Sequence, residues 1–270
     1  KQFVGATSTF LDKAFIVLPM TFVILLGDID ISVASTVALS SVIMAVSYNA
    51  GVPMELAIAI CLATGTLCGL INGLIITRFK ELSAVIVTLS TNIIYRGIAY
   101  IILEDQASGK FPDWYSFLGW GDIAGIPFIL ILFAISAVVF GVLLHKTTFG
   151  RRVYAMGNNP LASRFSGIKV DKIKTTIFTM TGFMAAVTAL FLTSRMGSTR
   201  PNVAIGYELD VIAMVVLGGV STAGGKGRIG GTILAIFIIG FLRYGLGLVN
   251  VPSQALLIII GTLLIGAILI

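Results

Sequence analysis

Residues Leu56–Thr77 read LAIAICLATGTLCGLINGLIIT, a stretch that has no charged side chain. A helix of about 20 such residues crosses the hydrocarbon core of a bilayer, which is about 30 Å thick, at about 1.5 Å of rise per residue. Lipid offers no partner to an unpaired backbone group, and the stretch lacks the two-residue alternation of barrel strands. The stretch therefore predicts a transmembrane α-helix.

The rest of the chain repeats this pattern. Of its 270 residues 57% are hydrophobic and 11% charged, and the mean hydropathy is +1.04. Ordinary soluble domains have about 25% charged residues, so these charges are too few to cover a soluble protein of this size. We predict an all-α, polytopic integral membrane bundle of about nine transmembrane segments, of which the short ones near Gly27, Gly225 and Gly230 are broken. The predicted segments are Ala14–Gly27, Ile31–Met54, Leu56–Thr77, Leu82–Leu103, Ile123–Leu144, Thr175–Ser194, Val211–Gly225, Ile229–Leu242 and Tyr244–Ile270.

The charges in the loops indicate the orientation. Residues 146–174 hold seven bases and one acid, whereas residues 104–126 hold four acids, one base and a group of Trp and Tyr side chains. Cytoplasmic loops of membrane proteins are enriched in Lys and Arg, so the first loop is expected inside and the second outside. Counting crossings from these loops places residues 196–207 outside. The same bias explains the net charge of +6, which therefore does not indicate a nucleic-acid partner.

Motifs for enzyme chemistry are incomplete in this sequence. Gly225–Gly230 spells GxGxxG, but no strand precedes it, and Gly225 stands where a P-loop needs its lysine. Cys61 and Cys68 are too far apart on one helix for a disulfide and lack partners for zinc. His145 is the only histidine, which argues against a hydrolytic triad. We therefore expect no catalytic residue, no bound metal or cofactor, and no ATP hydrolysis by this chain alone.

A short helix is predicted within the basic loop. Asn159 suits its N-cap, Pro160 its first position and Gly167 its left-handed C-terminal cap. A helix of two turns is unstable alone in water, so it needs a surface on which to dock. That surface is either a partner protein or anionic lipid head groups, and the residues alone favour neither. The apolar edge of the predicted helix is formed by Leu161, Phe165 and Ile168.

Five sequence motifs resemble those of one transporter family. They are Gly27–Ala34 (GDIDISVA), Ser194–Pro201 (SRMGSTRP), Gly206–Ala213 (GYELDVIA), Leu217–Ser221 (LGGVS) and Gly224–Gly227 (GGKG). Together they are similar to the membrane permease of ATP-driven simple-sugar importers, the ribose, rhamnose and autoinducer-2 group of ABC transporters, over essentially the whole chain. Asp28 and Ala34 stand where this family commonly has glycine, which makes the local backbone less permissive.

The resemblance implies that several subunits share the work. Residues 1–270 are then one multi-pass permease domain of the bacterial inner membrane without the family's usual first helix, so ten crossings are expected in the full protein. A separate ABC ATPase uses ATP and Mg²⁺, a periplasmic or lipid-anchored binding protein delivers the sugar, and a second permease, in a homodimer or heterodimer, completes the pathway. Residues 146–174 are the cytoplasmic coupling loop. The residues implied in coupling to the ATPase are Asn159, Pro160, Leu161, Arg164, Phe165, Gly167 and Ile168.

Polar residues inside the apolar runs are candidates for the substrate pathway. Hydroxyl and amide side chains suit a neutral polyol, but they bind neighbouring helices equally well. Arg96 is costly in lipid and is expected to point into the bundle, where its loss should impair transport more than the loss of Lys13. Asp30 or Ser32 is expected to cap the following helix, a role favoured over sugar contact. The candidate pathway residues are Asp30, Asn72, Ser90, Thr91, Asn92 and Arg96.

Glycines are expected to shape two regions. Gly65, Gly69 and Gly73 repeat every four residues and predict a face on which a second helix packs closely. The glycine-rich stretch Gly218–Gly231, with its two basic residues, is expected to be irregular and either protein-covered or cytoplasmic.

The sequence thus predicts a permease that imports a monosaccharide or a sugar-derived signal by alternating access, powered by a separate ATPase. The alternative is a secondary transporter driven by an ion gradient, with Asp30 as its coupling site. A membrane receptor or scaffold without flux is a third class.

Overall fold

The computed structural model describes residues 5–251 and the positions 255, 258, 259, 261, 262 and 266. This part of the chain is mainly helical. The α-helices are α1 (Ala14–Leu25), α2 (Val33–Asn49), α3 (Met54–Arg78), α4 (Ala84–Leu103), α5 (Phe117–Trp120), α6 (Phe128–His145), α7 (Thr148–Asn158), α8 (Pro160–Phe165), α9 (Val170–Met196), α10 (Tyr207–Leu217) and α11 (Ile229–Leu248). The short strands are β1 (Ser108–Gly109), β2 (Asp122–Ile123), β3 (Ile126–Pro127) and β4 (Ser198–Thr199), and 3-10 turns lie at Thr7–Thr9 and Asp113–Ser116.

Five helices among the described residues are long and apolar enough to cross a membrane, namely α3, α4, α6, α9 and α11. Helices α1 and α2 are apolar but have only 12 and 17 residues, and α10 has 11. Each predicted segment up to Leu242 overlaps one of these helices, whereas 13 of the 27 residues of Tyr244–Ile270 lie outside the described residues. The chain is thus a helical, multi-pass membrane protein, and the number of nine crossings stays a prediction.

Helices α1 and α9 form the centre of the bundle. Every side chain of α1 is buried, and 61% of the apolar window of α9 is buried, against 22–33% in the other four long helices. Phe15 of α1 stacks on Phe191 of α9 with ring centroids 4.8 Å apart. The other long helices expose apolar side chains such as Ile101, Val138 and Leu234. Their outer faces therefore suit lipid, because lipid tails are as apolar as these side chains.

Helices α3 and α9 cross closely through glycines. A Cβ atom added at Gly65 would lie 2.5 Å from the carbonyl oxygen of Gly182, and one added at Gly69 would lie 2.3 Å from that of Phe178. At Gly73 the added Cβ would lie 2.8 Å from the Cα of Thr175. No side chain fits between these backbones, so the predicted close-packing face is confirmed, and its partner is α9.

Glycine turns end the two short helices α1 and α10. Gly27, two residues after α1, has a φ of +77°, a left-handed conformation in which a side chain is strained. After α10 the backbone is irregular from Gly218 to Arg228, and Gly219 has a φ of +81°. The prediction of an irregular stretch is confirmed up to Arg228, but α11 begins at Ile229, before the predicted stretch ends.

The acidic loop between α4 and α6 docks on the end of α9. Strand β1 pairs antiparallel with β4, which directly follows α9. Tyr115 is fully buried, and its hydroxyl lies 2.9 Å from the carbonyl oxygen of Leu190 and 2.7 Å from the hydroxyl of Thr193. Burial raises the pKa of the Tyr115 phenol, which therefore stays neutral. Of the aromatic group in this loop, Trp114 and Trp120 are exposed, as a membrane-interface position allows.

Candidate functional site

A chain of buried polar side chains connects the break between α1 and α2 to α3 and α4. The carboxylate of Asp30 accepts hydrogen bonds from the backbone N–H and the hydroxyl of Ser32, at 2.9 and 2.6 Å. Asn72 donates its amide to the Ser32 hydroxyl at 2.7 Å, and Tyr95 donates to the Asn72 amide oxygen at 3.2 Å. We call Asp30, Ser32, Asn72 and Tyr95 the inner polar network. Two of the predicted pathway residues, Asp30 and Asn72, therefore meet through Ser32.

The predicted capping of α2 by Asp30 or Ser32 is wrong. Ser32 occupies the N-cap position, but no side-chain oxygen accepts a hydrogen bond from the first turn of the helix. The Asp30 carboxylate instead binds Ser32 itself, which is closer along the chain than the helical N–H groups. The short polar side chain thus fixes the turn before the helix, as Asp commonly does in turns.

The polar residues in the middle of α4 are not gathered at one point. Ser90 is exposed and donates to the carbonyl oxygen of Ile86, while Thr91 is buried and donates to that of Thr88. Both bonds return to the helix that carries the residue. The side-chain oxygen of Asn92 is buried without a hydrogen-bond partner among the described residues. Asn92 thus has an acceptor free for a solute or a neighbouring chain.

Arg96 points into the bundle and holds a loop that is predicted to lie on the outer side. Its Nη1 atom donates to the carbonyl oxygens of Pro201 and Val203, both at 2.7 Å. These two residues belong to the loop between β4 and α10. The loop backbone thus satisfies the charge-bearing group inside the membrane, as an intramembrane arginine requires.

Replacing Arg96 by Leu should lower transport about tenfold at matched expression. A hydrogen bond to a charged donor contributes about 1.5–3 kcal/mol, and this variant removes two such bonds from the loop. Uptake is measured for Arg96→Leu and for the control Arg78→Leu, at the exposed end of α3. Equal uptake by the two variants would contradict a role of Arg96 in holding the loop.

Nothing in the sequence indicated a cluster of five buried or half-buried charges, which lies at the end of the bundle that is predicted to face outside. Lys13 binds Asp210 at 2.7 Å, Arg243 binds the other oxygen of Asp210, and Arg195 binds Asp12 at 2.9 Å. We call Asp12, Lys13, Arg195, Asp210 and Arg243 the outer ion cluster. The side chain of Lys13 is 7% exposed and is part of this cluster. A Lys13 variant is therefore not a suitable control for an Arg96 variant.

A hydrogen bond to α9 shows where along the bundle the outer ion cluster lies. The hydroxyl of Thr188 donates to the carbonyl oxygen of Asp12 at 2.8 Å. Thr188 lies eight residues before the end of α9 at Met196, which corresponds to about 12 Å along the helix. The backbone of Asp12 therefore lies beside the last turns of α9, at the end of the bundle that is predicted to face outside. Buried charges persist there only when they are paired.

A cavity of about 330 Å³ lies beside this cluster. Its walls offer guanidinium, hydroxyl and amide groups next to a few apolar side chains, a combination that hydrogen-bonds a neutral polyol. Sequence spacing gave no signal for it, because it forms where the end of α9 meets the following loop and α10. The lining residues are Leu192, Arg195, Met196, Ser198, Thr199, Arg200, Asn202, Val203, Ala204 and Tyr207.

The predicted helix of the basic loop is α8. The side chain of Asn159 caps it by accepting from the backbone N–H of Ala162 at 2.9 Å, and Pro160 is its first residue. Gly167 follows with a φ of +81°, as predicted. The helix has six residues, so it depends on its neighbours or on a partner for stability.

The apolar edge of α8 is shorter than predicted. Phe165 is 85% exposed and Leu161 65% exposed. Ile168 instead packs against the core, because the chain turns after Gly167 toward α9. Arg164 pairs with Asp171 at 2.5 Å and so fixes α8 to the first turn of α9. Two large apolar side chains thus stand free on a basic loop.

Metal-binding groups are not gathered anywhere in the described part of the chain. No cluster of three or more His, Cys, Asp or Glu side chains occurs there. Cys61 and Cys68 are buried free thiols in α3.

Comparison with known proteins shows what the chain is similar to. Residues 3–268 match the family described as "Branched-chain amino acid transport system / permease component". The ribose import permease protein RbsC of Bacillus subtilis (strain 168) is 42% identical over 252 residues, covering 93% of this chain and 78% of that protein. The autoinducer 2 import system permease protein LsrD of Escherichia coli (strain K12) is 38% identical over 268 residues, covering 96% and 80%. No solved structure matches the chain.

Proposed function

The chain belongs to the permease-component family of the branched-chain amino acid transport type, and on this premise we propose that it imports a monosaccharide or a sugar-derived signal as the membrane subunit of an ABC importer. It is a transport subunit, and a separate ATPase supplies the energy. The substrate class comes from RbsC and LsrD, whose names give ribose and autoinducer 2.

The polar side chains of the candidate pathway suit a neutral polyol. The Asp30 carboxylate already accepts two hydrogen bonds from Ser32, and Arg96 already donates to two loop carbonyl groups. The hydroxyl and amide groups that line the cavity beside the outer ion cluster can exchange hydrogen bonds with a polyol. Arg195 and Arg200 in the same wall can donate to the hydroxyl groups of a polyol as well.

The main support for an ATPase partner is the exposed apolar edge of α8. Phe165 and Leu161 stand free in water on a loop rich in basic residues. Two large apolar side chains fit a pocket on a protein partner, and such anchors provide much of the energy of an interface.

The other proposed partners follow from the family. A periplasmic or lipid-anchored binding protein delivers the substrate to the outer face, where the cavity beside the outer ion cluster lies. A second permease, identical or related, completes the pathway in the inner membrane. ATP and Mg²⁺ are bound by the ATPase alone.

Uptake by proteoliposomes tests the proposal. The chain is reconstituted with its ATPase and binding protein, and radiolabelled D-ribose is offered on the side of the binding protein. We expect accumulation that requires ATP on the ATPase side and persists when a protonophore collapses the proton gradient. Uptake that ignores ATP and stops with the protonophore would instead identify a secondary transporter. Binding without accumulation would identify a receptor.

A charged substitution at the edge of α8 should detach the ATPase. In Phe165→Glu the carboxylate would be buried without a partner in the interface, so co-purification of the ATPase should fall at least about tenfold. Ile205→Glu is the matched control, because Ile205 is also a large apolar residue, 65% exposed, in the loop predicted outside. Equal ATPase recovery with both variants would contradict docking at α8.

A further inference from the structure

Three backbone segments touch directly at the cytoplasmic end of α1. The N–H of Gly225, in the loop after α10, donates to the carbonyl oxygen of Leu25, the last residue of α1, at 2.8 Å. A Cβ atom added at Gly157, in α7, would lie 1.9 Å from that same oxygen. One added at Gly224 would lie 2.9 Å from the carbonyl oxygen of Gly157. No side chain lies between these backbones, so no change of side-chain rotamer can absorb a movement of one of them. A movement of one backbone is therefore passed to the others.

This junction is adjacent to the coupling loop. Gly157 lies three residues before Pro160, where α8 begins. Asn159 is the C-cap of α7 and also the N-cap of α8, so one residue separates the two helices. A displacement of α8 therefore reaches Leu25 through α7.

A second contact holds the segment that follows α1. It comes from α9, which follows α8 in the sequence. The ammonium group of Lys174, in the second turn of α9, lies 2.7 Å from a carboxylate oxygen of Asp28. The two side chains are 25% and 14% exposed, so water screens this ion pair only in part. This contact depends on the acid that the chain carries at position 28. Residues on both sides of α8 thus hold the segment that follows α1.

The segment continues directly into the inner polar network. The hydroxyl of Thr88 in α4 lies 3.3 Å from the carbonyl oxygen of Ile29. Asp30 follows, with its bonds to Ser32 and through it to Asn72. A movement of residues 25–28 therefore changes the positions of polar groups on α2, α3 and α4 together.

We propose that residues 25–30 receive the movement of the coupling loop, and that Asp28 and Lys174 are positioning residues that fix this segment to α9. The Gly157 junction pushes on the segment from α7, and the ion pair holds it from α9. The proposal rests on the proposed function, since it assigns the route by which the ATPase drives the permease.

The test measures the amount of sugar transported per ATP hydrolysed in the reconstituted full complex. Asp28→Asn and Lys174→Gln should each lower this ratio at least about threefold, while ATPase co-purification and ATP hydrolysis persist. The exchanged pair, Asp28→Lys with Lys174→Asp, should restore at least half of the ratio. Lys110→Gln, at an exposed position in the acidic loop between α4 and α6, is the matched control and should leave the ratio unchanged.

A purely structural role would give a different result. It would reduce the amount of complex and lower both rates together, and the ratio would stay the same. An unchanged ratio in Asp28→Asn, in a preparation whose wild type accumulates sugar with ATP, overturns this inference and leaves the proposed function intact. Gly157→Ala provides an independent variant for the junction, and a wild-type ratio in it would also count against the route. Wild type without ATP-dependent uptake would refute the proposed function itself.

Discussion

Gly182→Val is expected to abolish the accumulation of folded protein. A Cβ atom at Gly182 would lie 2.2 Å from the carbonyl oxygen of Gly65 and 2.7 Å from the backbone nitrogen of Gly69. Both neighbours are backbone atoms of α3, so neither can rotate away, and the two helices would have to separate. Overpacking of side chains alone costs about 1–3 kcal/mol of stability. Forcing α3 and α9 apart should cost more than that.

The control for this variant is Gly97→Val in α4. The substitution is the same and also lies in a long apolar helix. Among the described residues, no heavy atom lies within 4 Å of the added Cβ apart from the chain neighbours of Gly97 and the backbone of its own helix. Size-exclusion chromatography after detergent extraction measures the monodisperse fraction of each variant. A wild-type profile for Gly182→Val would contradict the close crossing of α3 and α9.

Asp210→Leu should destabilise the protein by about 3–5 kcal/mol, because it leaves two cations of the outer ion cluster without their anion. Asp210 binds both Lys13 and Arg243, and the side chain of Lys13 is almost fully buried. A buried charge that loses its partner costs more than the pair contributed. Thermal unfolding in detergent, followed for the variant and for Asp122→Leu at an exposed position, measures the difference.

A double variant separates the charge effect from the loss of packing. Adding Lys13→Met to Asp210→Leu removes one of the two unpaired cations, so part of the lost stability should return. If Asp210→Leu unfolds at the same temperature as Asp122→Leu, the outer ion cluster does not stabilise the bundle. Full additivity of the two changes would show that Lys13 and Asp210 do not interact.

Local patterns predicted much of the fold because they act through neighbours in the sequence. The uncharged runs located the helices, and the spacing of Gly65, Gly69 and Gly73 located the close crossing. The cap of α8 by Asn159 needs only the residues that follow it. Such features depend on short-range geometry, which a sequence states directly.

The outer ion cluster could not be predicted in this way. Its two anions, Asp12 and Asp210, are almost 200 residues apart, and each neighbours apolar runs that look alike. Lys13 stood just before an apolar run and looked like a loop charge, whereas the fold buries it against α10. The pathway role of Ser90 and Thr91 stays a prediction. Residue type gives their chemistry, but only the packing shows that they bond to their own helix.

The orientation of the basic loop is the central claim, because an ATPase can dock on α8 only from the cytoplasm. Cys61 and Cys68 are the native cysteines, and both are buried, so a single cysteine can be introduced at Phe165 or at Asn202 with little background. A membrane-impermeant maleimide is added to spheroplasts and to inverted vesicles. We predict that Phe165→Cys reacts only in inverted vesicles and that Asn202→Cys reacts in spheroplasts. Labelling of Phe165→Cys in intact spheroplasts would contradict the orientation and, with it, the docking of an ATPase at α8.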